Sequence, residues 1–427
     1  MAGKKTQAQL TPEEKLQQAL VPTAEQPYKV PANWCWLHLL YSFINCTDSN
    51  KKIKQKEYLK EGILPIVDQG KDLIGGFTNN KELAFKGDLP VIIFGDHTRC
   101  VKYIDFNFVQ GADGVKVLKP QIFYNEKLFY YALKNIDIKN LGYRRHFPTF
   151  DQYFVPLPPL AEQQRIVERI ESLFAKLDEA KEKLQNVLDG FETRKAAILH
   201  KAFTGELTAN WRKQHGISMD SWEEKKLGKI VKNIKDKYEP MLNNKKCIKY
   251  IGLEHIEKNN GIIGFGSSDD VKSLKTIFEL GDILYGKLRP YLNKHDIAKF
   301  SGICSTDILV YRAEDFNTAK FMNYFMNTEK FIFYTVSNSK GINLPRISEK
   351  EVSGILVNVP TLSEQSEIVR IIDGLFAKEQ QAKELAENVL AKIALIKKAI
   401  LARAFRGELG TNNPADEPAV ELLKRVL

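Results

Sequence analysis

The sequence lacks the features that would place the protein in a membrane or in an oxidising compartment. No run of about 18 uncharged apolar residues occurs, which argues against a membrane-spanning helix, and no secretory signal is recognisable. The 5 cysteines among 427 residues are scattered and odd in number. Because they form no Cys-x-x-Cys pair, neither a zinc site nor a disulfide framework is indicated. The sequence therefore predicts a globular protein of the cytoplasm with no membrane association.

Motifs for catalysis are also missing. The 7 histidines are isolated, without the spacing of metal ligands. Residues 281–287 match the start of a phosphate-binding loop, but Leu288 stands where that loop needs Ser or Thr to bind magnesium. No glycine-rich cofactor loop follows a strand, and no Asn-Pro-Pro-aromatic motif is present to hold a flipped adenine. We therefore predict that the chain alone is not an enzyme.

What the sequence does contain is one long internal repeat. Residues 160–207 match residues 362–409 at an offset of 202 with no gap, and about 25 of the 48 aligned positions are identical. This offset is too long for a solenoid unit and indicates a duplicated half-protein. Gly205 and Gly407 end the two copies at the position where a left-handed cap terminates a helix.

Apolar residues in both copies recur in steps of three and four, which predicts a long amphipathic helix with a coiled-coil seam. Neither helix can bury this seam alone, so we expect the two to pack antiparallel on each other. The alternative is that each helix docks on its own domain, although such helices usually have only 3–4 turns. The predicted seam comprises Ile166, Ile170, Leu173, Leu177, Ala180, Leu184, Val187, Phe191 and Ile198, and Ile368, Ile372, Leu375, Ala382, Ala386, Val389, Ile393, Ile396 and Ile400.

The two segments that precede the helices have a different character. Short apolar runs punctuated by Gly and Asp predict β-rich α+β domains, with helices at residues 126–133 and 318–333. Lys and Arg exceed Asp and Glu by 17 to 13 in residues 34–155 and by 22 to 17 in residues 222–357, against 24 to 23 elsewhere. An excess of positive charge on these segments suits nucleic acid as a partner.

The sequence therefore predicts an α+β fold with a pseudo-two-fold internal repeat, in which two long antiparallel helices join two β-rich domains. An N-terminal connector, partly helical, and a C-terminal tail complete the chain. The predicted boundaries are 1–30 for the connector, 31–157 for the first domain, 158–208 for the first helix, 209–357 for the second domain, 358–410 for the second helix and 411–427 for the tail.

Short motifs frame both helices. Residues 156–166 (PLPPLAEQQRI) and 360–365 (PTLSEQ) open them, Gly-Glu-Leu closes both copies, and residues 416–419 (DEPA) follow. Together with the order domain, helix, domain, helix, these motifs resemble the specificity subunit of type I restriction-modification systems. The resemblance covers essentially the whole chain after about residue 30, and it is the duplicated set that makes it specific.

The resemblance implies that each domain is a target recognition domain, which reads one half of a split DNA sequence, and that the paired helices set the distance between the halves. It implies double-stranded DNA and two methyltransferase (modification) subunits as partners, and a restriction-translocase subunit can join them. No cofactor is expected in this chain, whereas S-adenosylmethionine is expected in the partner methyltransferase subunit.

Loops rich in basic and amide side chains are the candidates for DNA contact, because Arg and Asn pair bidentately with the edges of guanine and adenine. The alternative for each loop is an ordinary solvated basic turn. Lys71 is a further candidate in the first domain. The predicted DNA-binding residues are Arg99, Lys102, Arg144, Arg145, His146, Lys287, Arg289, Asn293, Lys294, His295, Ser339, Lys340, Asn343 and Arg346.

The repeat extends beyond the seam to positions that we expect to be exposed, and a packed seam alone would not require this. We therefore predict that the starts and ends of the two helices form two quasi-equivalent docking sites for the methyltransferase subunits. The alternatives are an adaptor that joins two protein-binding domains, and a free-standing DNA enzyme. The predicted partner-binding residues are Glu162, Gln163, Phe203, Glu364, Gln365 and Phe405.

Overall fold

The computed structural model describes residues 11–240 and 248–426, except the side chain of Asp270. It divides the chain into two compact units. Unit 1 comprises Met1–Lys183 and Asn388–Leu427, and unit 2 comprises Leu184–Glu387. Each unit therefore combines one β-rich module with part of each of the two repeat regions. Residues 1–10 of the predicted connector lie outside the described residues.

Module 1, residues 31–157 of unit 1, is built from two small sheets, a closing pair of strands and the helix α2, and the short helix α1 precedes it. One sheet has the antiparallel order β2-β8-β5-β6, and the other has the order β4-β3-β7, in which β3 and β7 run parallel. The first and last strands, β1 and β9, pair antiparallel and close the module. The elements are α1 (Pro12–Ala19), β1 (Cys35–His38), β2 (Phe43–Asn45), β3 (Leu64–Val67), β4 (Gly76–Thr78), β5 (Val91–Gly95), β6 (Val101–Ile104), β7 (Val109–Gln110), β8 (Val115–Pro120), α2 (Glu126–Asn135) and β9 (Phe154–Leu157).

Module 2, in unit 2, lies between the two repeat regions of the chain. The long helices are α3 (Leu160–Asp189), α4 (Phe191–Phe203) and, after the module, α10 (Leu362–Ala404). The remaining elements of unit 2 are α5 (Ala209–His215), β10 (Glu223–Lys226), α6 (Leu227–Ile230), β11 (Lys232–Ile234), β12 (Lys237–Tyr238), β13 (Lys249–Ile251), β14 (Ile256–Glu257), β15 (Gly261–Ile262), β16 (Gly266–Ser267), β17 (Lys275–Phe278), β18 (Ile283–Gly286), β19 (His295–Ile297), β20 (Gly302–Cys304), β21 (Ile308–Arg312), α7 (Phe316–Phe325), α8 (Glu329–Ser337), α9 (Glu349–Ser353) and β22 (Leu356–Val359).

The two modules share a core strand topology although their sequences show little similarity. Module 2 adds β17 and β12 to its second sheet, and it has the extra strand pair β14 and β15. The sheet β11-β21-β18-β19 of module 2 repeats the order and antiparallel pairing of β2-β8-β5-β6. In the second sheet, β13 runs parallel to β20 and antiparallel to β16, as β3 does to β7 and β4. β10 and β22 pair as β1 and β9 do. The predicted α+β class and the internal repeat are thus confirmed at the level of the fold.

The long helices are antiparallel within each unit. In unit 1, Lys397 of α10 forms an ion pair with Asp178 of α3 at 2.6 Å. In unit 2, Nε of Arg194 in α4 lies 3.0 and 2.9 Å from the two carboxylate oxygens of Glu379 in α10. The first predicted helix is not a single element, because a turn at Gly190 separates α3 from α4. Glycine at this position removes the side chain that would favour an uninterrupted helix.

The predicted seam is buried near the module ends of the helices and, between them, at Phe191, Ala386 and Ile393. Ile166, Ile170, Ile368 and Ile372 are buried, and each of these pairs belongs to the core of its own unit. The prediction is wrong at three positions. Val187, Ala382 and Ile396 are exposed, because a two-helix seam without a third layer covers only one narrow face of each helix.

The termini that the structure describes close unit 1. Thr11 caps α1 in a capping box with Glu14, and α1 is the helical part of the predicted connector. Ala19 of α1 belongs to the same core as Leu423 of α11 (Ala419–Val426). The predicted helix at residues 126–133 matches α2, whereas that at 318–333 is two helices, α7 and α8, with a break at residues 326–328. The break arises because Thr328 caps a new helix through the N–H of Phe331.

Candidate nucleic-acid interface

In module 1, two loops meet at the end of the β5–β6 hairpin. The β5–β6 turn spans residues 96–100, and the second loop, residues 141–146, arrives from α2. The backbone oxygen of Asp96 accepts a hydrogen bond from the backbone N–H of His146 at 2.9 Å, and Nδ1 of His97 lies 3.0 Å from the backbone oxygen of Tyr143. The sequence predicted residues in both loops without predicting that they touch.

His146, predicted to contact DNA, instead fixes this junction. Its Nε2 accepts the N–H of Leu141 at 3.1 Å, so Nδ1 carries the proton and donates to the oxygen of Asp96 at 2.8 Å. The ring is fully buried. With both nitrogens engaged and no exposed surface, His146 cannot reach a base, and we correct its role to a structural one. Arg144 and Arg145, on the same loop, are exposed.

Two other cations of module 1 that were predicted to contact DNA bind groups of the protein itself. Lys102 is buried with its ammonium 3.6 Å from the carboxylate of Asp68, and burial lowers the pKa of Lys102 while Asp68 opposes this. The prediction of DNA contact by Lys102 is therefore wrong, because a strand position that faces the second sheet is covered. Arg99 has a left-handed backbone with φ of 60° and donates from Nη1 to the oxygen of Ile138 at 2.8 Å. Its guanidinium thus holds the β5–β6 turn against the segment after α2.

In module 2, the two loops that the sequence singled out also meet. The β18–β19 turn, residues 287–294, contacts the loop at 339–346 through an antiparallel bridge between Leu288 and Arg346. The N–H of Arg289 donates to the oxygen of Pro345 at 2.7 Å, and Arg346 pairs with Asp307 at 2.8 Å. Arg289, Lys340, Asn343 and Arg346 are exposed, while Lys287 and Ser339 are half-buried. Exposed basic side chains from both loops therefore lie where the loops meet.

Three residues predicted in the β18–β19 turn face inward. Asn293 is buried and donates to the oxygen of Met326 at 2.9 Å, and His295 is buried against Asn323 at 2.7 Å. Burial lowers the pKa of His295, which favours the neutral ring. Lys294 is half-buried and donates to the oxygen of Leu253 at 2.7 Å. The predicted DNA contacts of Asn293 and His295 are wrong, because both side chains turn inward and bond to Met326, directly after α7, and to Asn323 within it.

The meeting loops occupy the same place in both modules. In each, the turn between the third and fourth strands of the antiparallel sheet receives the late loop that precedes the closing strand, β9 or β22. Five of the predicted basic residues that remain exposed lie where these loops meet: Arg144 and Arg145 in module 1, and Arg289, Lys340 and Arg346 in module 2. Lys71 is also exposed, on the loop after β3, where the side chain of Gln69 accepts a hydrogen bond from the N–H of His97 in the β5–β6 turn. We call the place where the two loops meet the loop junction of each module.

Further cations beside the loop junctions escaped sequence reasoning. In module 1, Asp113 forms an ion pair with Lys52, and the charges of Arg145 and Lys54 also help to hold the pKa of Asp113 below its usual range. In module 2, burial lowers the pKa of Lys287, and the neighbouring cations Arg346 and Lys237 lower it further. These lysines come from distant parts of the chain, so no local motif marks them.

The predicted docking residues Glu162 and Gln163 are wholly buried in unit 1. The carboxylate of Glu162 accepts from the indole N–H of Trp34 at 2.7 Å, from the amide of Asn412 at 2.8 Å and from the hydroxyl of Thr411 at 3.1 Å. Gln163 accepts from the N–H of Asn125 at 2.6 Å. Glu162 therefore joins the start of α3 to module 1 and to the segment after α10.

Unit 2 repeats this network with one change. Glu364 accepts from the indole N–H of Trp222 at 3.0 Å and from the hydroxyl of Thr208 at 2.6 Å, and it forms a buried ion pair with Arg212. Gln365 is buried and donates to the oxygen of Pro360 at 3.0 Å. The expectation that these repeated Glu-Gln pairs are exposed is wrong, because the first strand of each module and the segment after the other helix cover them.

The two predicted phenylalanines also pack inside their units. Phe405 is buried in the core of unit 1, and the ring of Phe203 lies 5.0 Å from that of Phe321 in unit 2. Exposed repeated positions do exist nearby, because Leu160 and Leu362, the first residues of α3 and α10, both face solvent. These two leucines occupy matching positions of the repeat and are the exposed apolar side chains at the helix starts.

Across residues 11–240 and 248–426, no group of His, Cys, Asp and Glu side chains could hold a metal ion. No helix in that part of the chain has the length and apolar character needed to cross a membrane.

The chain is similar to proteins of one family. The family described as type I restriction modification DNA specificity domain matches residues 41–189 and 219–389. The specificity subunit of the type I restriction enzyme EcoDI from Escherichia coli is 32% identical over 287 residues, which cover 62% of this chain and 64% of that protein. The StySPI specificity subunit from Salmonella potsdam is 29% identical over 289 residues, 63% of this chain and 60% of that protein. The chain thus spans less than two thirds of the length of these relatives.

The fold is similar to solved structures as well. The HsdS subunit from Thermoanaerobacter tengcongensis has a TM-score of 0.61 and 16% identity, and the match covers 90% of this chain and all of that one. A chain from a structure described as addressing complex assembly and conformational transition of the type I R-M system has the same TM-score, identity and coverage. At this identity the likeness concerns the fold.

Proposed function

The chain belongs to the family of type I restriction-modification DNA specificity domains, and we propose that it is the DNA-recognition subunit of a type I restriction-modification complex. Each module reads one half of a bipartite site in double-stranded DNA, and the antiparallel helices set the gap between the halves. The chain itself catalyses nothing. Adenine methylation belongs to partner methyltransferase subunits, which carry S-adenosylmethionine, and a restriction-translocase subunit can join the assembly in the cytoplasm.

The observation that carries this proposal is the recurrence of the loop junction. Two modules of different sequence place exposed Arg and Lys side chains at the same end of the same sheet. A fold alone does not require basic residues there, whereas a DNA-reading surface needs cations for phosphates and planar donors for base edges. Two half-sites of different sequence would require different side chains at the same position of a shared fold, as the two modules have.

Docking of two methyltransferase subunits is supported by the sequence repeat on the helices. With the Glu-Gln pairs buried, the exposed repeated positions Leu160 and Leu362 are the better candidates for contact at each helix start. Apolar side chains that recur at matching positions would offer two quasi-equivalent surfaces to two copies of one partner.

The test of the proposed function is a methylation map. The chain is expressed with the methyltransferase subunit of its own system in a host without adenine methylation, and modified adenines are located by single-molecule sequencing. We expect a split motif of two short defined blocks around a fixed undefined gap. Full assembly without methylation of any such motif, combined with no salt-dependent binding of duplex DNA, would favour the adaptor function instead.

The helical pair should act as a ruler for the gap. We expect that inserting seven residues after Gln185 in α3 and seven after Glu387 in α10 lengthens the recognised gap by about three base pairs, since seven residues add ~10 Å at 1.5 Å each. The two insertion points lie close to the unit boundaries at Lys183 and Glu387. The measurement is the methylation map of the variant. An unchanged gap in an active variant would contradict the ruler.

A further inference from the structure

Tyr143 is an aromatic side chain that projects into solvent instead of packing in the core. It lies on the late loop of module 1 and is 99% exposed. Its backbone is nevertheless fixed, because its carbonyl faces Nδ1 of His97 and the buried His146 holds the loop three residues on. Gly142 precedes it with φ of +67°, a conformation that glycine adopts without strain. The loop is therefore shaped to present this ring to solvent.

Ile342 repeats this arrangement in module 2. It is 100% exposed at the tip of the late loop, directly after Gly341, which has φ of +103°. Lys340 and Arg346 close the tip with two backbone hydrogen bonds of 2.9 and 2.8 Å. The exposed side chain thus stands on a short closed hairpin and not on a slack segment.

The equivalent placement of Tyr143 and Ile342 in the two modules indicates a shared function. Single exposed apolar side chains are common on protein surfaces and need no explanation. Here the most exposed large hydrophobic side chain of each module follows a glycine of positive φ, at the same topological position and beside basic residues. Arg144 and Arg145 follow Tyr143, and Lys340 and Arg346 flank Ile342. The late loops of the two modules thus differ in sequence but present an exposed hydrophobic side chain in the same way.

We propose that Tyr143 and Ile342 are wedge residues, which insert between or against the bases of a half-site when the flanking cations seat on the phosphates. This proposal rests on the proposed function. Apolar side chains that enter a base step unstack it and bend the duplex, and such local opening lowers the cost of moving a base out of the helix. Each wedge therefore opens the duplex next to the adenine that a partner subunit methylates.

The surrounding charge favours DNA over a protein as the occupant. Protein interfaces are depleted in Lys at their centres, whereas an apolar tip between Lys and Arg suits a groove lined by phosphates. In module 1 the charges of Arg145 and Lys54 both help to hold the pKa of Asp113 low, so Lys54 adds a cation near Arg145, whereas Lys52 is neutralised by its ion pair with Asp113. The tips are thus apolar points within basic surroundings.

The experiment places 2-aminopurine at successive positions of the mapped half-sites and measures its fluorescence on binding of the full complex with its methyltransferase subunits. We expect a several-fold rise at one step in each half-site. Tyr143→Ala should abolish the rise in one half and Ile342→Ala in the other, with binding weakened roughly tenfold for each. Tyr143→Phe and Ile342→Leu should restore both the fluorescence and the affinity.

Matched controls come from the far end of each sheet. Ile63 is 61% exposed and precedes β3, whose other end leads to Gln69 beside the β5–β6 turn. Leu280 is 68% exposed and precedes β18, so both controls lie opposite the loop junctions. Ile63→Ala and Leu280→Ala should leave the fluorescence and affinity unchanged.

Each other outcome is informative. If the unmodified complex binds and methylates its site and the alanine variants keep the full fluorescence rise, the wedge is wrong while the proposed function stands. If Tyr143→Ala or Ile342→Ala impairs assembly with the methyltransferase without DNA, measured by light scattering, the tips are protein contacts and the wedge is overturned. If the unmodified complex shows no duplex binding, the proposed function itself fails.

Discussion

A chain in which both Arg289 and Lys340 are replaced by alanine is expected to bind its DNA target on the order of 100-fold more weakly. Both side chains are exposed at the loop junction of module 2, and neither closes the junction with its charged group. The backbone contacts of the junction, Arg289 to Pro345 and Lys340 to Arg346, persist in alanine. The loss is therefore one of charge and hydrogen bonding to DNA rather than of fold.

The salt dependence separates phosphate from base contacts. Each phosphate contact contributes about 0.9 to the slope of log K against log salt concentration, so losing two should reduce the slope by about 1.8. A base contact instead relaxes specificity at one position of the half-site. The measurement is fluorescence anisotropy with the mapped target and single-base variants at several salt concentrations.

Lys299→Ala is the matched control. Lys299 is exposed in the same module but follows β19, whose end pairs with the beginning of β18, opposite the loop junction. Its removal changes the net charge by the same amount as either single replacement. Equal weakening by Lys299→Ala and Arg289→Ala would mean that only overall charge matters, and the loop junction would lose its special role.

The order of modules and helices could be predicted because the helices show a periodic spacing of apolar residues and because their sequence occurs twice. The spacing of apolar residues gave both long helices, and Gly205 and Gly407 indeed have φ of +80° and +75° at the predicted caps. The same logic could not predict the turn at Gly190, where one glycine interrupts an otherwise continuous seam. It also overestimated burial at Val187 and Ile396, since a period shows which face is apolar but not how much of it is covered.

The loop junctions were only half predictable. Local composition marked the loops that meet in the structure, because Arg and Lys cluster there in the sequence. It could not separate Arg145, which faces solvent, from its neighbour His146, whose ring is held by the backbone oxygen of Asp96 in the β5–β6 turn, 50 residues earlier. Likewise Asn293 sits in a basic turn yet faces the core. Direction within a short turn depends on long-range packing, which no local pattern encodes.

The repeated Glu-Gln pairs illustrate the opposite error. Their identity in both copies and their place off the seam suggested an exposed docking surface, but each glutamate is covered by a tryptophan from the first strand region of its module. A signal was available, since Trp34 and Trp222 open the two modules in equivalent places. A buried carboxylate at the start of a helix requires hydrogen-bond donors. Tryptophan suits this role, because its ring packs in an apolar core while its indole N–H donates a hydrogen bond.

The two networks make a second large prediction, because they differ in one respect. Glu364 balances the buried Arg212, whereas the donors that Glu162 receives from Trp34, Asn412 and Thr411 are neutral. Glu364→Gln leaves a buried guanidinium without its counter-charge and should destabilise unit 2 by about 3–5 kcal/mol. Glu162→Gln only weakens hydrogen bonds to neutral donors and should cost unit 1 about 1–2 kcal/mol. The measurement is amide hydrogen exchange. Protection of β1 and β9 reports the stability of unit 1, and protection of β10 and β22 reports that of unit 2.

A double-mutant cycle with Arg212→Met tests whether the charge pair is the cause. Methionine keeps much of the apolar volume of the arginine stem beside Trp222, whose ring lies 5.9 Å from the guanidinium. If the unpaired charge is what destabilises Glu364→Gln, then adding Arg212→Met should recover part of the loss, and the cycle should give a coupling of about 1–3 kcal/mol. Additive effects, or equal losses for Glu364→Gln and Glu162→Gln, would show instead that the hydrogen bonds common to both networks carry the stability and that the buried ion pair adds nothing to it.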